Sequence, residues 1–406
     1  MLLIEAARRP ARGAGRAGVA LAGGGPLGAY YEIGALHALA ESIEGLDLTK
    51  LDTYVGVSSG AVIAAGLANR LDTMDLARVF ITTESSEHTL TPATLFSPAV
   101  DDYGKQLARI PALLADRAAQ YMRHPFSTGL TELVLPVSQA LPAGLFDNAP
   151  FERFLRELFS RDGRSNDFRR LGHRLYVVAT NLNTGEPTVF GAARHKDVPI
   201  SRAVQASSAL PGLYRPVAID GERYVDGALR RTMHASLALD EGATFVLCIN
   251  PLVAFNTSAG RTARERTDLA EKGMPTVLSQ TFRALIQSRM QVGMADYPER
   301  YPAADILLLE PDPSDVHMFT TNVFGYANRR RLTEHAYQRT RADLRQAAPR
   351  LRNVLARHGF KLRLKVLRDR RRSLIADLKA QKRASRHVWQ DLDRTLESLR
   401  RFVDRA

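Results

Sequence analysis

The chain has 406 residues, 45% hydrophobic and 24% charged, with a net charge of +13 and a pI near 10.0. This suits a globular protein with one large core and room for two or three domains, and the charge favours an anionic contact such as phospholipid head groups, nucleic acid or an acidic partner. A lone cysteine, Cys248, excludes an internal disulfide, and no apolar run reaches the roughly 18 residues a membrane span needs.

Cysteine usage points to a reducing compartment, hence a cytoplasmic protein that meets any membrane from its surface. The apolar start, Met1 to Ile4, is too short for a secretory signal and runs into Arg8, Arg9, Arg12 and Arg16. Residues 1–16 are basic and rich in Gly, Ala and Pro, and read as a disordered tail. Residues 18–22 read as a buried strand, leading into Gly23-Gly24-Gly25-Pro26-Leu27-Gly28. Ala29, Ile33, Leu36 and Ala40 then recur at helical spacing, so residues 28–43 form a helix facing a sheet. Residues 51–57 are a second strand, completing a βαβ unit with a parallel pair.

Residues 71–149 read as a helical insertion, with a helix at 106–122 and breaks at Pro92, Pro98, Pro111, Pro125, Pro136 and Pro142. Asn148 is the expected N-cap of a helix over 151–159, with Pro150 in its first turn. Residues 174–180 and 187–190 form a hairpin about the turn at 181–186. A short helix at 201–209, a loop at 210–216 and a strand ending in a turn at 224–228 follow. Residues 244–249 and 306–309 are further buried strands; Cys248 lies in the first of them as an inert thiol. From about residue 333 the pattern is almost all helix. The expected organisation is a catalytic core over 17–255, its remainder with peripheral helices over 256–345, and a basic helical extension over 346–406.

Two glycine-punctuated strand ends carry the chemistry. Gly56-Val57-Ser58-Ser59-Gly60 lies between a strand and a small-residue helix over 61–68. Its glycines permit the sharp turn that lifts a hydroxyl clear of the backbone, and the following helix aims its N-terminal N–H groups there. Gly23 to Gly28 also opens a helix, and two functions compete for it. One is a dinucleotide site of the G-x-G-x-x-G type; the other is an oxyanion hole. A dinucleotide site predicts an acidic residue ending the second strand, where this chain has Ser58. The oxyanion reading therefore leads, since both loops fall at one edge of a parallel sheet. Ten histidines are present, but His37, His173, His195 and His234 sit at no such strand end. Asp226, followed by Gly227, is the better placed base: a carboxylate at a strand end, ionised at neutral pH and able to accept a serine proton. An ordinary Asp-Gly turn gives the same letters.

In this order, Gly23-Gly24-Gly25-Pro26-Leu27-Gly28, Gly56-Val57-Ser58-Ser59-Gly60, the stretch from Ala206 to Gly212 and Asp226-Gly227-Ala228 resemble the motifs of the patatin-like phospholipases, over about residues 17–250. The resemblance implies an α/β fold, a three-layer sandwich around a mainly parallel central sheet. Here it would carry the helical insertion and the helical C-terminal extension. It further implies lipid acyl-ester hydrolysis by a Ser-Asp dyad without histidine or cofactor. Ser58 is then the nucleophile, Asp226 the base and Gly23, Gly24 and Gly25 the oxyanion donors, with 206–212 packed near the dyad. Many relatives carry Arg or Lys where this chain has Leu27, which leaves a phosphate-bearing substrate open.

No HExxH, Cys/His cluster or EF-hand loop is present, so no metal is expected. Residues 361–406 hold 15 Lys/Arg against 6 Asp/Glu, about +9 of the total charge, with leucines at three- and four-residue steps. This is amphipathic helix that either packs on the domain or a second chain, or lies on an anionic membrane or lipid droplet. No nucleic-acid-binding signature accompanies it. The alternatives are a hydrolase of soluble esters, thioesters or storage polyesters, and a non-catalytic membrane-binding scaffold.

Overall fold

The computed structural model describes residues 1–9, 15–82, 90–99, 143–256, 269, 271, 273–319 and 326–381. Its centre is a nine-stranded sheet. In chain order the strands are β1 (Leu2–Glu5), β2 (Arg16–Leu21), β3 (Thr53–Val57), β4 (Arg174–Asn181), β5 (Pro187–Phe190), β6 (Val217–Ile219), β7 (Glu222–Asp226), β8 (Ala243–Ile249) and β9 (Asp305–Leu309). Their spatial order is β1-β9-β8-β2-β3-β4-β7-β6, with β5 also on β4. The block β9-β8-β2-β3-β4 is parallel throughout. Antiparallel strands close both sides: β1 on β9, and β5 and β7 on β4, with β6 on β7.

Side chains alternate across this sheet with the period of two that strands impose. Val19 and Leu21 of β2, with Phe245, Leu247 and Ile249 of β8, enter one core; Ala20, Val246 and Cys248 enter the other. The first core is covered by α1 (Gly25–Ser42), α2 (Ser59–Ala68), α3 (Ala149–Phe159), α4 (Ile200–Ser207) and a later helix at Arg329–Gln346. The second is covered by α5 (Ala235–Asp240) and by the C-terminal half of α6 (Met274–Arg300), through Met290 and Tyr297. Two helical layers about a mainly parallel sheet make the expected sandwich. Burial pushes the Cys248 thiol far up, as expected of an inert group.

Three local expectations change. The tail is not wholly disordered: Leu2 to Glu5 pair antiparallel with Ile306 to Leu309. The pairing supplies partners to an edge strand whose amides would otherwise be open. Asn148 sits at the N-cap of α3 but makes no cap bond. Its side chain instead exchanges hydrogen bonds with Gln205, at 2.9 and 3.2 Å, while the Asp147 carboxylate accepts from Ala149 N–H at 2.9 Å. The expected loop at 210–216 contains a strand, Gly212–Tyr214, parallel to Gly144–Asp147.

The helix expected at 106–122 and the tail beyond residue 381 lie outside the described residues. Of the basic extension, Leu367, Leu374 and Leu378 are buried in the first core. Arg372 of the extension pairs with Glu41 of α1 at 2.9 Å, beside Arg341 of the preceding helix at 3.2 Å. Part of this charge therefore serves the fold. Among the described residues no helix is long and apolar enough to cross a membrane.

Candidate active site

Sheet register brings the site together. Val57 of β3 pairs with Val178 of β4, and the next residue, Ala179, pairs with Asp226 of β7. Residues 168 apart in sequence thus reach the same level of the sheet, and Ser58 Oγ donates to Asp226 Oδ2 at 2.6 Å.

Ser58 has φ 52° and ψ −122°, a conformation that costs a non-glycine residue about 1–3 kcal/mol and persists only where the surroundings fix it. Ser58 N–H donates to Ser207 Oγ at 2.8 Å, and that hydroxyl donates to the Val178 carbonyl at 2.6 Å. The Ser58 carbonyl accepts from Ala61 N–H at 3.0 Å. The flanking glycines answer to space rather than to φ. A Cβ at Gly56 would lie 2.4 Å from Ala61 Cα, and one at Gly60 2.4 Å from the Leu21 carbonyl oxygen. Strand, turn and helix are in backbone contact.

Asp226 is 3% exposed. Its Oδ1 accepts from Ala228 N–H at 2.8 Å, its own N–H donates to the Ala209 carbonyl at 2.9 Å, and Thr180 Oγ1 donates to its carbonyl at 3.2 Å. Burial pushes its pKa up to about 6, against the lowering effect of the hydrogen bonds from Ser58 and Ala228. Gly227 allows β7 to lie against β4, since a Cβ there would meet the Val178 oxygen at 2.2 Å.

The glycine loop crosses above Ser58. A Cβ on Gly23 would stand 3.0 Å from that of Ser58. Gly23 N–H, however, is directed at the Thr232 carbonyl, 3.4 Å away. Of the three glycines expected as donors, Gly24 and Gly25 line the cavity with Ser58. Both N–H groups precede the first intrahelical bond of α1, from Gly28 N–H to the Gly24 carbonyl at 3.0 Å, so α1 leaves them available. Gly28 abuts Ser59, whose Oγ lies 2.9 Å from where its Cβ would be. Leu27 is 2% exposed within the first core.

Ser58 and Asp226 border a cavity of about 460 Å³. Phe80, Leu95 and Phe151 form one side, and Leu278, Phe282 and Ile286 of α6 another. Arg283 of α6 also lines it, 7% exposed, with Nη1 3.4 Å from the Val253 carbonyl. No histidine is among the described residues lining the cavity. His37, Glu41 and Asp377 offer possible ligand atoms within 4.8 Å of one another, but outside it and with Glu41 held by two arginines.

Two parts of the site went unremarked in the sequence. Ser207 lies inside a motif already singled out, but only coordinates show its hydroxyl between two backbone groups. The α6 wall had a signal: a helix with apolar residues on every side, which needs cover all round.

Fold and site together define an α/β protein with an elbow serine. The sequence model described as Patatin-like phospholipase matches residues 19–239, more than half of the chain, and the chain belongs to that family. Its fold also resembles solved structures in part. VipD from Legionella pneumophila is 16% identical, with a TM-score of 0.32 over 85% of this chain and 80% of that one. Human GIVD cytosolic phospholipase A2, solved with methyl gamma-linolenyl fluorophosphonate, is 13% identical, with a TM-score of 0.34 over 87% and 60%. ExoU of Pseudomonas aeruginosa, solved with SpcU, is 18% identical, with a TM-score of 0.24 over 91% and 68%.

Proposed function

We propose that the chain is a lipid acyl hydrolase of phospholipase A type, working through a Ser58–Asp226 dyad and an acyl-enzyme. The observation that carries this reading is the 2.6 Å hydrogen bond from Ser58 Oγ to a buried carboxylate bordering an apolar cavity. Family membership supports the substrate class.

Ser58 Oγ attacks the ester carbonyl carbon as Asp226 takes its proton. The carbonyl electrons move to oxygen, and the N–H groups of Gly24 and Gly25 hold the resulting oxyanion. One such donor contributes about 3 to 4 kcal/mol. Collapse breaks the bond to the alkoxy oxygen, which leaves with the proton from Asp226 as an alcohol or lysolipid. Water then attacks the acyl-Ser58 carbonyl, again giving its proton to Asp226. The second collapse releases the fatty acid, and the proton returns to Ser58 Oγ. A carboxylate with a pKa near 6 is a stronger base than a solvated aspartate and is still ionised at pH 7.

A fluorophosphonate should label the native chain at Ser58, and Ser58→Ala should lose both labelling and fatty-acid release from phospholipid. Labelling that survives Ser58→Ala would overturn the nucleophile assignment. Hydrolysis confined to short soluble esters would overturn the lipid class while leaving the dyad intact.

A further inference from the structure

Among the described long helices, α6 is the one that leaves large apolar side chains exposed on its second face. Its inner face carries Ile286, Met290, Met294 and Tyr297, which pack on the cavity and the second core. Its outer face carries Met274, Val277, Leu278, Phe282, Leu285 and Val292, between 42% and 73% exposed. Apart from the adjacent pair Val277 and Leu278, their steps of three, four and seven residues hold one broad stripe of the helix. A helix at a solvent boundary ordinarily turns polar groups outward, and a contiguous exposed apolar stripe marks a contact surface. The stripe continues around the cavity mouth: Leu210, Leu229, Leu278 and Phe282 are all both exposed and part of the cavity lining.

We propose that this outer face of α6, with Leu210 and Leu229, docks on the surface of an anionic phospholipid bilayer. The choice of occupant rests on the lipid-ester reading of the cavity and on two further observations. First, the stripe is cationic where it carries charge. From Met274 to Ala295 the helix has no acidic residue, and of its two arginines Arg289 is exposed while Arg283 is buried in the cavity wall; its first carboxylates, Asp296 and Glu299, stand near its C-terminal end. Arg289 is exposed, with Nη1 3.4 Å from the Leu229 carbonyl, so its charge sits beside the mouth. Second, Leu278 and Phe282 belong to both the stripe and the cavity wall. A second protein seated there would stop the mouth. A bilayer seated there would place acyl chains at it, the apolar rim giving each chain an unbroken path from bilayer to Ser58.

The test uses the full chain carrying Ser58→Ala, so that binding is read without turnover. Vesicles of phosphatidylcholine with phosphatidylglycerol are sedimented with it. Leu285 and Val292 border neither the dyad nor the cavity, and the double variant Leu285→Glu, Val292→Glu should weaken partitioning about a hundredfold. Vesicles lacking phosphatidylglycerol should bind the parent about fivefold less tightly, the effect of the exposed Arg289 at the surface. With Ser58 restored, the double variant should lose hydrolysis of vesicle lipid but keep that of a soluble short-chain ester within about twofold. An environment-sensitive dye on Leu285→Cys should shift blue on vesicles, Cys248 being buried and silent. Unchanged sedimentation of the double variant would overturn the proposal. So would a native dimer that the double variant dissociates, which would assign the stripe to a second copy. Because partitioning needs no catalysis, it stands or falls separately from the hydrolase reading.

Discussion

The two walls of the cavity are built differently. The wall carrying Ser58, Asp226 and the glycine loop is made of strand ends in backbone contact: added Cβ atoms at Gly56, Gly60 and Gly227 would all meet backbone at 2.4 Å or less. The α6 wall is held through side chains, such as Gln280 and Gln287 to the backbone of Phe255 and Ala254, and leaves an apolar face in solvent. One wall fixes positions to a fraction of an ångström; the other decides what reaches them. Perturbing the first should change the chemical step or the fold, and perturbing the second should change access.

The largest effect expected is that of Asp226→Asn, which keeps the shape of the site but removes the proposed proton acceptor. Fatty-acid release should fall about 10²- to 10⁴-fold. In the native chain kcat/KM should rise with pH through about 6, where the Asp226 carboxyl ionises. The same group makes an opposite contribution to stability. Its folded pKa lies above the ordinary 3.8, so its favourable contribution is complete below that value and is lost as pH rises to about 6. Asp226→Asn should therefore melt higher than the native chain above pH 6 while losing activity. A variant both inactive and less stable at pH 8 would show that the carboxylate holds the wall together.

Gly60→Ala tests the contact directly. Its Cβ would meet the carbonyl oxygens of Leu21 and Ala22 at 2.4 and 2.6 Å, and backbone cannot step aside as a side chain can. We expect a loss of about 1–3 kcal/mol or more in denaturant unfolding; a loss below the measurement error would mean that β2 and α2 separate easily. Phe282→Ala probes the other wall. That side chain is 53% exposed, so truncation should raise KM for long-chain esters about tenfold with little change in kcat. A matching fall in labelling rate by a small fluorophosphonate would place Phe282 in the chemistry and erase the distinction between the walls.

The tighter wall is also the one that was readable in sequence. Gly23 to Gly28, Gly56 to Gly60 and Asp226-Gly227 stand out because close backbone approach admits few residue types. The looser wall left no such mark. Its apolar residues on α6 look like core until coordinates show that half of them face outward. Edge pairing was equally hidden: Leu2 finds Leu309 and Ile4 finds Leu307 across most of the chain, beyond the reach of local pattern. Asn148 shows a further limit, since a residue suited to capping was drawn to Gln205 by tertiary contact.

Behind the tight wall, the helix that the glycine loop opens holds one group that nothing clamps. Glu32 of α1 is 0% exposed, and neither carboxylate oxygen has a hydrogen-bond partner among the described residues. Asp226 is as deeply placed but has donors from Ser58 and Ala228, and its pKa rises only to about 6. With burial unopposed, the Glu32 carboxyl is pushed well above its ordinary 4.5. The folded chain then keeps a proton that the unfolded chain releases, so stability falls as pH climbs from 4.5 toward the folded value. Glu32→Gln cannot release that proton and should flatten the dependence. It should melt close to the native chain at pH 4 and a few degrees higher at pH 8, with ester hydrolysis unchanged. Glu32→Met, which also removes the unpaired polar atoms, should gain more. If the native fall in melting temperature from pH 4 to pH 8 survives both substitutions but vanishes in Asp226→Asn, the charge that matters is the partnered one, and deep burial without partners is not what sets the pH dependence of this fold.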